Sequence, residues 1–247
     1  GSEMCIRDRL QFIGNDRDYI EGLVDNILKR DIEQRFKILH ASAFEEMAHH
    51  LLNTAPAVVI DKRLQEIFSF RSQHTAKNYL SYLKQAYLLV GLHKYSPKSR
   101  QRITCEKVYP IDVALMNKRS DAFAGENLGW RLETIVYLHL LRKYKRQGMD
   151  VYYFNDRSGE CDFVVCDNRK GVLAVQVSYD ISNEKTRKRE ISGLILAAKK
   201  TGCGNLLLLT DHDYEDISSE GYEIAVRPVY DYICLLYTSP SPRDKRQ

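Results

Sequence analysis

The chain has 247 residues, 44% of them apolar and 28% charged, with a formal net charge of +4. That length suffices for one large or two small domains, each burying its own core. No apolar run approaches the roughly 20 residues of a membrane span, and no secretory signal opens the chain, so no membrane partner is expected and a cytoplasmic protein is.

The mild positive charge permits nucleic-acid binding without requiring it. The six cysteines stand singly, with no CxxC pair and no Cys/His cluster at zinc spacing. Cys161 and Cys166, five apart on one expected strand, should face opposite sides of it, so the thiols read as reduced and structural.

Gly1-Ser2 resembles a tag remnant. Residues 3–9 (EMCIRDR) and the tail from about Cys234 (CLLYTSPSPRDKRQ) resemble translated sequencing-adapter read-through of the kind found in metagenomic assemblies. Residues 1–18 and 234–247 are therefore set apart from the fold.

An amphipathic helix is predicted over Tyr19–Gln34, with Ile20, Leu23, Val24, Ile27 and Leu28 at three- and four-residue spacing. A second helix spans about Ser42–Leu52, and a short apolar stretch follows at Val58–Ile60. A third helix covers Asp61–Phe68, with Asp61 as its cap. Ser72 opens a fourth that runs to about Tyr87, with Leu80, Leu83 and Tyr87 on one face. Two strands, Leu88–Tyr95 and Ile103–Ile111, flank a basic turn at Ser96–Arg102. Helices followed by a two-stranded hairpin give the winged-helix order over residues 36–113.

Residues 114–126 read as a linker. Beyond it come a long apolar helix, Leu128–Tyr144, and strands at Val151–Phe154, Cys161–Cys166 and Val172–Val177. A helix over Asn183–Lys200 ends at Gly202 and Gly204, and strands follow at Leu206–Thr210 and Tyr222–Val229. The whole is expected to be α/β (α+β), a helical domain followed by an α/β domain with a central mixed sheet over 127–233.

No GxxxxGK[ST] loop occurs, so no ATP site is expected in this chain. The leading constellation joins Glu133 on a helix, Asp162 on one strand and Gln176 with Ser178 on the next. PD-(D/E)xK nucleases arrange a helix Glu, a strand Asp and an acid-x-Lys in this order to hold Mg²⁺ and activate water. Gln176 and Ser178, two apart, face the same side of their strand. The plainer alternatives are a surface charge at Glu133 and a solvated strand face at Asp162. Gln176, inside the apolar run Val172–Val177, would be a costly buried polar group without a partner, which argues for a polar cluster with Asp162.

A second constellation lies in the winged-helix region. Arg71, Gln73, Lys77, Asn78 and Lys84 would face a DNA groove, and Lys94, Lys98, Arg100 and Arg102 would meet phosphates from the wing. The plainer alternative is a basic surface hairpin used for protein contacts. Lys185–Glu190 (KTRKRE) opens a helix and reads either as a phosphate-facing patch or as a solvated face. The seven histidines show no i, i+4 pairing.

From Tyr19 to Ile233 the chain resembles the C-terminal part of a prokaryotic family of AAA-type ATPases. The matching stretches are Tyr19-Ile20 with Lys29-Arg30-Asp31-Ile32; Thr75 with Lys77-Asn78-Tyr79-Leu80 and Leu83; and Tyr109-Pro110-Ile111-Asp112. Further on they are Glu133, Asp162-Phe163-Val164-Val165, Gln176-Val177 and Thr186-Arg187-Lys188-Arg189-Glu190-Ile191. In that family an ATPase module precedes a winged helix and a PD-(D/E)xK-like domain of uncharacterised function.

The resemblance implies that residues 19–35 end a missing ATPase module, which would be a partner in the full-length protein. It also implies that Glu133, Asp162 and Gln176 occupy the family's acid positions, with Ser178 where lysine is usual. Serine carries no charge to offer a phosphate or a water, and Gln176 offers a metal only a neutral carbonyl. Lys185 could reach back in compensation. The expected function is therefore a DNA-associated region of an AAA-type ATPase with a degenerate nuclease-like domain. An active Mg²⁺-dependent nuclease using Glu133, Asp162, Gln176 and Lys185, and a pure protein-interaction module, stay open beside it, as does an oligomer.

Overall fold

The computed structural model describes residues 16–96, 106–116 and 128–234. The wing cations Lys98, Arg100 and Arg102, most of the expected linker, the leader up to residue 15 and the tail from 235 lie outside the described residues. The chain is a mixed α/β protein that divides into two compact units. The first takes in residues up to Gly91 together with Val108–Asp121, and the second takes in Leu92–Lys107 and everything from Ala122 onward.

In the first unit, helix α1 (Asp16–Asn26) runs on into a wider π-helical stretch, Ile27–Glu33, that buries Leu28 and Ile32. Helix α2 (Ala41–Thr54) follows, then strand β1 (Ala57–Val59), helices α3 (Asp61–Ile67) and α4 (Gln73–Gln85), the start of strand β2 (Leu89–Lys94) and the end of β3 (Glu106–Pro110), whose remaining residues belong to the second unit. A 3-10 turn, Val113–Met116, occupies the start of the expected linker. The strands lie in the order β1–β3–β2. The core gathers Leu28, Ile32, Phe44, Met47, Leu51, Leu64, Tyr79 and Leu83. Tyr79 meets both Phe44 and Phe70 edge-on at 5.1 Å, arrangements that suit the aromatic quadrupole.

Two local expectations are corrected. Asp61 is not the cap of α3 but its first residue, placed where a carboxylate favours the positive end of the helix; the flanking Ile60 makes no side-chain cap. Helix α4 stops before Tyr87, whose left-handed φ of 56° turns the ring outward, 76% exposed, instead of onto the Leu80–Leu83 face. The Leu88 N–H then closes on the Leu83 carbonyl at 3.1 Å, so the turn satisfies the helix end. Ser72 caps α4 as expected, accepting the Thr75 N–H at 3.2 Å.

In the second unit, α5 (Leu128–Lys145) precedes strands β4 (Asp150–Asn155), β5 (Glu160–Asp167) and β6 (Lys170–Val177). Then come α6 (Glu184–Thr201), β7 (Leu206–Thr210), β8 (Glu215–Ser219), β9 (Tyr222–Pro228) and α7 (Val229–Cys234). The sheet runs β2–β4–β5–β6–β7–β9–β8 and is mixed, with parallel pairs at β2/β4, β6/β7 and β7/β9. Strand β8 escaped the sequence reading because Glu215–Ser219 is polar; it is the edge partner of β9 alone.

Helices α5 and α6 cover opposite faces of this sheet. Phe163 stacks on Tyr137 of α5 at 5.8 Å, whereas Val164, Cys166 and Ala174 pack with Leu194, Ile195 and Ala198 of α6. The register steps from Tyr152↔Val164 to Phe154↔Cys161, so β5 carries one extra residue around Asp162 and Phe163. This bulge corrects the expectation for the cysteines: it puts Cys161 on the same face as Cys166, both in the α6-side core. Both thiols are free.

Candidate functional site

The bulge decides where Asp162 points. The register of β5 on β6 runs as far as Phe163↔Val175, and Asp162, Gln176 and Val177 lie beyond it. Their backbone donors are met by side chains instead. The Asp162 N–H donates to Gln176 Oε1 at 3.1 Å, and the Val177 N–H donates to Asp162 Oδ2 at 2.9 Å. Each residue thus bonds the other's strand where the ladder stops, which satisfies donors that burial would otherwise penalise.

Gln176, 4% exposed, also donates from Nε2 to Glu190 Oε2 at 2.6 Å. Glu190 is buried on α6 and is held from outside by the guanidinium of Arg189. On the α5 side, Glu133 Oε1 accepts from Lys107 Nζ at 2.6 Å, with the two side chains only 18% and 11% exposed. Lys107 comes from β3 and belongs to the second unit.

Charge and burial compete in this cluster. Burial pushes the Asp162 carboxyl well above the usual carboxylate range, and the neighbouring Glu133 and Glu190 add to that. The Lys107 ammonium and the Val177 N–H work against it. For Lys107, burial disfavours the charged form, yet Glu133, Asp162 and Glu160 together outweigh it and hold the ammonium above its ordinary value. Glu133, Asp162 and Glu190 therefore share one region with two cations, Lys107 and Arg189.

The structure brings Asp162 and Gln176 into direct contact and sets Glu133 within electrostatic reach of Asp162. Lys185 is exposed in the first turn of α6, where its N–H donates to the Asn183 cap at 2.9 Å. Ser178, half-buried just beyond β6, turns its hydroxyl to the Asp180 carbonyl at 3.0 Å. Among the described residues, no group of three or more His, Cys, Asp or Glu side chains is placed to hold a metal ion.

Two members of the cluster were missed. Lys107 sits in a strand assigned by sequence to the wing, with nothing in its spacing to tie it to Glu133. Glu190 falls in the KTRKRE segment, which reads in sequence as a phosphate-facing patch or a solvated face. Its signal was available: Gly193, Leu194, Ala197, Ala198 and Thr201 form the buried stripe of α6, and Glu190 lies one turn earlier on that stripe.

The expected DNA-facing residues divide by exposure. Arg71, Gln73 and Lys77 are exposed, and Asn78, Lys84 and Lys94 are half-buried. On α4 the core side is Ala76, Tyr79, Leu80 and Leu83, so Lys77 and Asn78 lie away from it. Beside Glu190, an open cleft of about 490 Å³ is lined by Arg157, Glu160, Arg189, Ser192 and neighbours.

Comparison with known proteins adds two domain matches. Residues 10–125 match a family described as a domain of unknown function (DUF8612), and residues 128–228 match another so described (DUF4143). An uncharacterised protein of Methanocaldococcus jannaschii is 29% identical over 213 residues, covering 84% of this chain and 45% of that protein. An uncharacterised protein of Haemophilus influenzae is 24% identical over 211 residues, covering 83% and 50%. The chain thus spans about half the length of the curated relatives it matches. No solved structure matches it. No helix among the described residues is long and apolar enough to cross a membrane.

Proposed function

We propose that this chain is a DNA-associated region of an AAA-type ATPase. In this reading the first unit binds duplex as a winged helix, and the second is a PD-(D/E)xK-like scaffold that binds or regulates without cutting. The observation that carries the DNA reading is α4. It follows a helix–strand–helix order, precedes two strands, and leaves Gln73 and Lys77, with Arg71 just before its cap, exposed to a groove. The extra length of the relatives leaves room for an ATPase module.

The non-cutting part of the proposal rests on Ser178, which cannot act as the cation of an acid-x-Lys strand. A second reading, a Mg²⁺-dependent nuclease, draws on the meeting of Asp162 with Gln176 and the nearness of Glu133. It takes Lys185, exposed on the first turn of α6, as the cation.

Fluorescence anisotropy with labelled duplex across a salt series tests the DNA reading. Phosphate contacts make log K fall with log salt by about 0.9 per contact. The double substitution of Arg71→Ala and Lys77→Ala should weaken binding and flatten that slope by about 2. Unchanged affinity and slope, or no binding by the unaltered chain, would overturn it.

A further inference from the structure

The nuclease-like reading implies a divalent metal held by Glu133, Asp162 and Gln176. A hard dication of the Mg²⁺ class needs several oxygens turned to one point, with carboxylates free to coordinate. The residues present do not offer that. Glu133 is bound at 2.6 Å to an ammonium that is itself mostly buried. Asp162 Oδ2 is engaged by the Val177 N–H, and Gln176 Oε1 by the Asp162 N–H. A further acid, Glu190, has both oxygens occupied, one by Gln176 Nε2 and the other by Arg189.

We infer that Lys107 is the built-in cation of this cluster: its ammonium, delivered from β3, holds the Glu133 carboxylate that a divalent ion would need. An ammonium is a compact point charge with three donors, suited to sit among carboxylates as a small hydrated metal would. Its field reaches Asp162 and Glu160 as well as Glu133. The charge that Ser178 cannot supply from β6 is thus present, but it comes from another strand and is spent on the acids themselves. The site is an anion-rich pocket closed by its own lysine. This inference rests on the nuclease-like reading of the second unit, and it makes that unit metal-independent.

The test is Mn²⁺ binding to the full chain, followed by water-proton relaxation and by thermal unfolding, with no DNA present. The unaltered chain should bind no Mn²⁺ at the cluster. Lys107→Ala should release Glu133, take up about one Mn²⁺ per chain and unfold at a higher temperature with the ion than without it. Adding Asp162→Asn should remove that uptake. Stoichiometric Mn²⁺ on the unaltered chain, lost on Asp162→Asn, would overturn the inference, and so would a folded Lys107→Ala that ignores Mn²⁺. Should Lys107→Ala not fold without the ion, Lys107→Met keeps the volume of the stem and is read in the same way. Because DNA is absent, a chain that fails to bind duplex leaves this result standing.

Discussion

At the scale of single residues, Gln176 is the hub of the cluster, because it touches both strand and helix. Its Nε2 has Glu190 as partner, and both groups are buried. Glu190→Ala would leave a buried amide donor unmet, a loss of about 2 kcal/mol, within the range for stranded buried polar groups. Urea unfolding measures it, and a change under about 0.5 kcal/mol would show that water replaces Glu190 without cost.

Asp162 has a pH signature. Burial, with Glu133 on α5 and Glu190 on α6, raises its carboxyl, while Lys107 on β3 and the Val177 N–H on β6 oppose the shift. The folded chain therefore holds this proton more tightly than the unfolded chain does. The resulting stabilisation is complete below about pH 4 and is lost as pH rises through the raised value. Asp162→Asn keeps an oxygen for the Val177 N–H but has no proton to lose. Relative to the unaltered chain it should gain stability as pH rises from about 4 to the raised value, and level off above it. Unfolding free energies that run parallel over that range would contradict this account of Asp162.

At the scale of elements, the site depends on how closely α6 lies on the sheet. A Cβ on Gly193 would collide with the carbonyl oxygen of Glu160, and one on Gly171 would come within 2.6 Å of Thr201 Oγ1. These two glycines let the helix approach β5 and β6 along its length, and Gly193 sits one turn after Glu190. Gly193→Ala should therefore lift α6 and pull Glu190 from Gln176, costing about 2 kcal/mol or more as an overpacked contact does. Chemical denaturation reads the loss, and an unchanged midpoint would mean that the helix shifts freely.

The elements were legible where pattern and punctuation agreed. Helix α6 ends at Gly202 as expected, and the apolar run of β7 marked a buried strand. The bulge in β5 was not legible, since an alternating strand carries no mark of one extra residue. That bulge reversed the expectation for Cys161 and set the direction of Asp162. Likewise the polar edge strand β8 had no apolar alternation to betray it.

At the scale of the whole molecule, the acids of the candidate site were legible because they lie on consecutive elements of one domain. Lys107 was not, because it arrives from β3, and no local spacing relates it to Glu133, 26 residues on in the chain. The site's chemistry turns on that long-range ion pair. Lys107 and Arg189 set a cation against two of these acids, Glu133 and Glu190.

The most direct measurement incubates the full chain with labelled duplex in Mg²⁺ or Mn²⁺ and scores retention and strand breaks in the same samples. The account predicts duplex that is bound at low salt, released at high salt and left intact throughout. Metal-dependent breaks that disappear in Asp162→Ala would contradict it, for they would show that Glu133, Asp162 and Gln176 still cut.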